Sequence, residues 1–166
     1  MASKINPAVV TSYTIAIIKS YGNKLIEDGI LQELLTLSTF SDKIALNGMS
    51  QDIAKTLSKD TLQIVNILIA NKRLSVLPVL CQRLIDELNH TSYSQKLLII
   101  EAGDVADAVN LYNTKLKLKT EFKDLNPIYK LSKKKGILKL TKGQNVYNYS
   151  LDNQLKLIKQ SLLKCL

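Results

Sequence analysis

The chain has no tryptophan, only three prolines and six glycines, and a single histidine, His90. So little proline and glycine excludes a collagen-like or low-complexity chain. One histidine, in a polar stretch, leaves a His-based acid or base without an evident partner. Of the two cysteines, Cys81 falls inside an apolar helical pattern and Cys165 at the penultimate position, with no metal-ligand or redox spacing between them. They read as a buried structural thiol and a tail thiol. No G-x-G-x-x-G, P-loop, H-E-x-x-H or C-x-x-C motif occurs. The acidic pairs Glu27-Asp28 and Asp86-Glu87 are sequence neighbours on predicted helices, so their carboxylates diverge. No catalytic residue, metal ligand or cofactor-binding residue is expected, and the chain reads as a noncatalytic protein.

Long hydrophobic runs are missing as well. The longest uncharged stretch, Ile5 to Ile18, is 14 residues and is interrupted by Asn6, Pro7, Thr11 and Ser12, short of the roughly 20 apolar residues a bilayer span needs. Lys19 follows it without a small-residue cleavage site, so it reads as the start of a mature protein and not as a secretory leader.

What is present is a globular composition, 46% hydrophobic and 22% charged over 166 residues, with a formal net charge of +9. The charge is uneven. Residues 1–114 hold 10 basic and 11 acidic side chains, whereas residues 115–142 hold 10 and 2. Such a patch suits nucleic acid, anionic lipid or an acidic protein partner. All its cations are lysine, which argues against base reading, where the arginine fork is favoured.

Periodicity predicts an all-helical region over residues 1–91. Asn6-Pro7 opens a helix carrying Val9, Val10, Tyr13, Ile17 and Tyr21. A second helix is expected from Asn23 to Ser38, weakened at Asp28-Gly29, then a continuation to Asn47-Gly48 and a short helix capped by Ser50. Thr61 to Asn71 is apolar on most faces, as suits a helix surrounded by others. Leu77, Leu80, Cys81, Leu84, Ile85 and Leu88 form the stripe of the next. Residues 92–166 read as a small α+β domain. Its expected parts are a buried strand at Lys96–Ile100, an Asp104-capped helix and an alternating strand at Lys115–Lys123. A basic turn follows at Lys133–Gly136, then two strands around Lys142-Gly143-Gln144. A last helix, capped by Ser150, would turn Leu151, Leu155, Ile158 and Leu162 inward.

Three segments carry a resemblance. Asn71, Arg73, Leu74, Leu77 and Pro78 form N-x-R-L-x-x-L-P; Gly143, Val146, Ser150 and Leu155 punctuate a strand, turn, strand and helix; Tyr13 opens Tyr-Thr-Ile-Ala-Ile. Taken in chain order, and over nearly the whole chain, they resemble the delta subunit of rotary ATP synthases, the oligomycin-sensitivity-conferring protein family. The sequence departs from the family pattern at Asn148, where Asp is usual, at Glu101-Ala102, and at Lys134-Lys135-Gly136, where the family has a Gly-Gly pair.

The resemblance implies a six-helix bundle (1–91) joined to a small α/β C-terminal domain (92–166). It further implies a noncatalytic stator subunit of the proton-translocating ATP synthase, linking the catalytic head to the membrane-anchored peripheral stalk. The bundle would grip the N-terminal helix of a head alpha subunit in a groove between its first and fifth helices, placing Tyr13, Ile17, Ile67 and Leu74 in or near that groove. The second domain would meet the stalk b subunits, with Lys133, Lys134 and Lys135 as a stalk-facing basic patch. The chain would sit peripherally at the cytoplasmic face of a bacterial inner membrane, through the complex and without cofactor. The competing expectation is a nucleic-acid-binding protein that uses residues 115–142, with Phe122 and Tyr129 interleaved.

Overall fold

The computed structural model describes residues 4–91, 97–113, 122–134, 137–148 and 151–165. The chain is α+β and divides into two units, Met1–Leu88 and Asn89–Leu166. The division falls just ahead of the expected boundary after Thr91.

Among the described residues the first unit is helical throughout: α1 (Pro7–Tyr21), α2 (Lys24–Glu27), α3 (Ile30–Ser38), α4 (Ser41–Asn47), α5 (Gln51–Thr56), α6 (Lys59–Ala70), a 3-10 turn (Leu74–Val76) and α7, which begins at Leu77 and ends at His90. The Asn6 side chain accepts the Ala8 N–H at 3.0 Å, with Pro7 at the first helical position. The single helix expected over Asn23–Ser38 is two. Gly29 adopts a left-handed φ of 72° between α2 and α3, which glycine enters without the Cβ clash other residues meet.

α6 starts two residues before the predicted Thr61, because the Ser58 hydroxyl accepts the Thr61 N–H at 3.3 Å and caps it. It is not enclosed on all sides as its composition suggests. Ile64, Val65 and Leu68 are buried while Ile67 and Ile69 are exposed, so α6 has an outer face. The unit's core is built of aliphatic side chains such as Leu25, Ile30, Leu34, Leu80 and Leu84, all fully buried, each contributing about 1.5–3 kcal/mol of hydrophobic stabilisation.

The second unit carries β1 (Leu97–Ala102), α8 (Val105–Leu111), β2 (Asn126–Leu131), β3 (Leu138–Lys142), β4 (Asn145–Asn148) and α9 (Leu151–Lys164). The sheet order is β2-β1-β3-β4, with β1 and β2 parallel and the other pairs antiparallel. Leu98, Ile100 and Ala102 of β1 pack with Leu140 of β3 and with Ala108 and Tyr112. The Tyr112 hydroxyl donates to the Leu125 carbonyl at 3.0 Å. Gly143, with φ 59°, turns β3 into β4.

The second unit differs from expectation as follows. Strand β2 has no counterpart among the expected elements; it lies at the edge of the sheet among the described residues, where a proline lacking its N–H is tolerated. The strand expected at Lys115–Lys123 lies outside the described residues up to Glu121, and Phe122 to Asp124 form a turn. The Ser150 cap and the side chains of Leu151 and Leu155 also lie outside them. Finally, Ile158 and Leu162 do not point inward: they are 56% and 62% exposed, in the company of exposed Leu157 and Leu163. From Lys156 onward, the described side chains of α9 carry an exposed apolar surface.

Candidate functional site

Of the partner-binding residues expected from the sequence, Tyr13 and Ile17 fall on α1 and Ile67 on α6, the two sides of one seam, whereas Leu74 falls in the 3-10 turn beyond α6. Val10, Thr14 and Ile17 are buried and fix the rotation of α1, leaving Tyr13 half-buried. On α6, burial of Ile64, Val65 and Leu68 leaves Gln63 and Ile67 outward. Two contacts reach α1 from this side, one from α6 and one from Arg73 just beyond its end. The Tyr21 hydroxyl donates to Gln63 Oε1 at 3.4 Å, and the Arg73 guanidinium stands 6.0 Å from the centroid of the Tyr13 ring. Residue numbers fall along α1 as they rise along α6 and beyond it, so the helices run antiparallel. Ile67 lies one turn after Gln63 on the same helical face, 46% exposed. Burial, and secondarily the Asp60 carboxylate, push the Tyr21 phenol above its ordinary pKa, so it stays a neutral donor.

Arg73 reaches Tyr13 because of how α6 ends. The Arg73 N–H donates to the Leu68 carbonyl at 2.8 Å and the Lys72 N–H to the Ile69 carbonyl at 2.9 Å, the paired bonds of a Schellman cap. The left-handed position is taken by Lys72, φ 53°, where glycine is usual.

The structure separates the four groove residues. Tyr13 and Ile67 present surface, whereas Ile17 and Leu74 are 6% and 4% exposed and belong to the core. Tyr13 lines a cleft of about 350 Å³ with Ala8, Val9, Ser12, Ala16 and Arg73. Leu74 lies at a different one, about 470 Å³, with Ile44, Met49, Ile69 and Lys72. A third cleft, about 410 Å³, runs between α1 and α7 and is lined by Ile5, Val10, Val79, Gln82, Arg83 and Asp86. Arg73 is the seam residue that sequence reasoning left unassigned; the available signal was that it is one of only two arginines.

In the second unit, Lys133 and Lys134 are exposed in the bend after β2, and the Lys134 N–H donates to Ser132 Oγ at 3.3 Å; Lys135 lies outside the described residues. Phe122 is 1% exposed and meets Tyr147 edge-to-face at 6.0 Å, so it cannot stack on a base. Lys142 Nζ stands 5.9 Å from its ring centroid.

No protein-family model matches the chain, and a comparison with curated proteins finds no match. Among the described residues no group of three or more His, Cys, Asp or Glu side chains is gathered to hold a metal ion. No helix among them is long and apolar enough to cross a membrane. His90 is exposed at the end of α7. What the seam offers is a half-open, largely apolar surface with a cation at one end, suited to holding another helix.

Proposed function

We propose that the chain is a noncatalytic stator subunit of a proton-translocating rotary ATP synthase. The helical unit holds the N-terminal helix of a catalytic-head alpha subunit on the α1–α6 seam, and the second unit meets the stalk b subunits. The observation that carries this reading is the Tyr13–Arg73 contact: two of the segments that resemble the delta subunit family, far apart in the sequence, converge on one cleft. If α2 and α3 are counted as one helix bent at Gly29, the helices number six and α6 is the fifth. On that count the α1–α6 seam would correspond to the first-and-fifth groove that the resemblance implies.

The role is mechanical. A connector that grips the head by apolar anchors such as Ile67, and the stalk by its second unit, keeps the head from following the rotor. Torque then goes into catalysis. The exposed apolar residues of α9 and the exposed Lys133 and Lys134 suit an acidic amphipathic stalk helix. In the complex the protein is peripheral, at the cytoplasmic face of a bacterial inner membrane.

Reconstitution tests this. Catalytic heads stripped of the subunit should rebind the purified chain, and heads whose alpha subunits lack their N-terminal helix should not. Equal binding to both would contradict the assignment of the seam.

A further inference from the structure

We infer that Arg73 selects the docked helix by charge, pairing with a carboxylate on an amphipathic helix seated beside Tyr13; this rests on the helix-docking role proposed for the seam. The chain contains 23 cationic side chains, of which only Arg73 and Arg83 are arginine. Arg83 is paired with Glu87 at 3.2 Å. Arg73 is exposed and has no ion pair among the described residues. Its guanidinium lies at the outer limit of a cation–π contact with Tyr13, so little holds it there when an anion arrives.

The cleft that Arg73 edges supplies no carboxylate of its own. Its other walls are Ala8, Val9, Ser12, Tyr13 and Ala16, and α1 carries no acidic residue. Small side chains let a second helix approach closely, and a guanidinium at the rim can grip a carboxylate through two parallel N–H bonds, which an ammonium cannot. The occupant is therefore a helix with an apolar stripe and an Asp or Glu beside it. The chain's own exposed amphipathic helix has the wrong sign, since Lys156, Lys159 and Lys164 outnumber Asp152 on α9, which disfavours a second copy.

The test is a double-mutant cycle on the full chain. A fluorescent peptide of the alpha-subunit N-terminal helix from the same organism is titrated against the wild type, Arg73→Gln, Arg73→Lys and Ile67→Asp. The peptide is used both as it is and with its carboxylates converted to amides. We expect Arg73→Gln to weaken binding of the acidic peptide about tenfold, with Arg73→Lys between the two. Amidation should weaken the wild type by a similar factor and leave Arg73→Gln unchanged. The wild-type affinity should also fall with added salt more steeply than that of Arg73→Gln. Because Arg73 is exposed, the circular-dichroism melt of Arg73→Gln should match the wild type. Binding that Ile67→Asp abolishes but Arg73→Gln leaves untouched would overturn this inference alone. So would a natural helix with no carboxylate. Absence of any wild-type binding would overturn the inference together with the seam's assignment.

Discussion

Glu33 and Ser58, 25 residues apart, are joined by three hydrogen bonds from one serine to one carboxylate. The Ser58 hydroxyl donates to Glu33 Oε2 at 2.8 Å, and its N–H donates to Oε2 at 3.1 Å and Oε1 at 3.3 Å. The same hydroxyl caps α6 through the Thr61 N–H and meets the Thr61 hydroxyl at 2.8 Å. The start of α6, and with it one side of the seam, is thus tied to α3. Replacing Glu33 with Ala strips the carboxylate from this part-buried cluster, and should lower stability by about 1–3 kcal/mol in urea unfolding followed on the helical signal.

The end of α6 makes the opposite prediction. Lys72 occupies a left-handed position at φ 53°, where a side chain is strained and glycine is not. Lys72→Gly should therefore raise the stability of the helical unit by up to about 1 kcal/mol, despite the added freedom it gives the unfolded chain. The melting temperature reads this directly. An unchanged or lower value would show that Lys72 makes a compensating contact.

The two thiols should behave differently. Burial pushes the Cys81 thiol up to about 12, whereas Cys165 is exposed. At neutral pH a thiol reagent should label one cysteine quickly in the native protein and both in denaturant. The raised value also fixes a pH dependence. The unfolded thiol titrates near 9.0 and the folded one near 12, so the contribution of the neutral thiol is complete below about pH 9 and is lost as pH rises from there to about 12. Cys81→Ala should flatten that part of the stability profile.

On α9, the exposure of Ile158 and Leu162 predicts that Ile158→Asp shifts stability by no more than about 0.5 kcal/mol. In the core, Phe122→Ala should cost about 3–5 kcal/mol. Unfolding of the two variants side by side, followed on the second unit, distinguishes an exposed apolar surface from a buried one.

Local rules made much of the fold legible. The Asn6, Ser50 and Asp104 caps each depend on a residue and its near neighbours. The stripe of α7 follows from its helical period, and the both-sided burial of β1 from a short unbroken apolar run. What escaped was decided over longer distances. Nothing local says that Pro127 is tolerated because β2 lies at an edge, or that Ser58 gains a carboxylate from α3. The periodicity of α9 is the same whether its stripe faces a core or solvent, which is why Ile158 and Leu162 were misjudged. The same ambiguity divided the seam residues: Tyr13 and Ile67 reach the surface while Ile17 and Leu74, on equally apolar patterns, do not. Arg73 was visible as a rare residue type, but its place over Tyr13 depends on the cap at Lys72.

The helix-docking role proposed for the α1–α6 seam can be measured on the isolated protein. Calorimetric titration of the full chain with the alpha-subunit N-terminal helix from the same organism tests it most directly, with Ile67→Asp and Tyr13→Ala alongside. One-to-one binding is expected, abolished by Ile67→Asp and weakened by Tyr13→Ala, with both variants folded. No heat at micromolar concentrations of a folded wild-type chain, or full binding by folded Ile67→Asp, would contradict it.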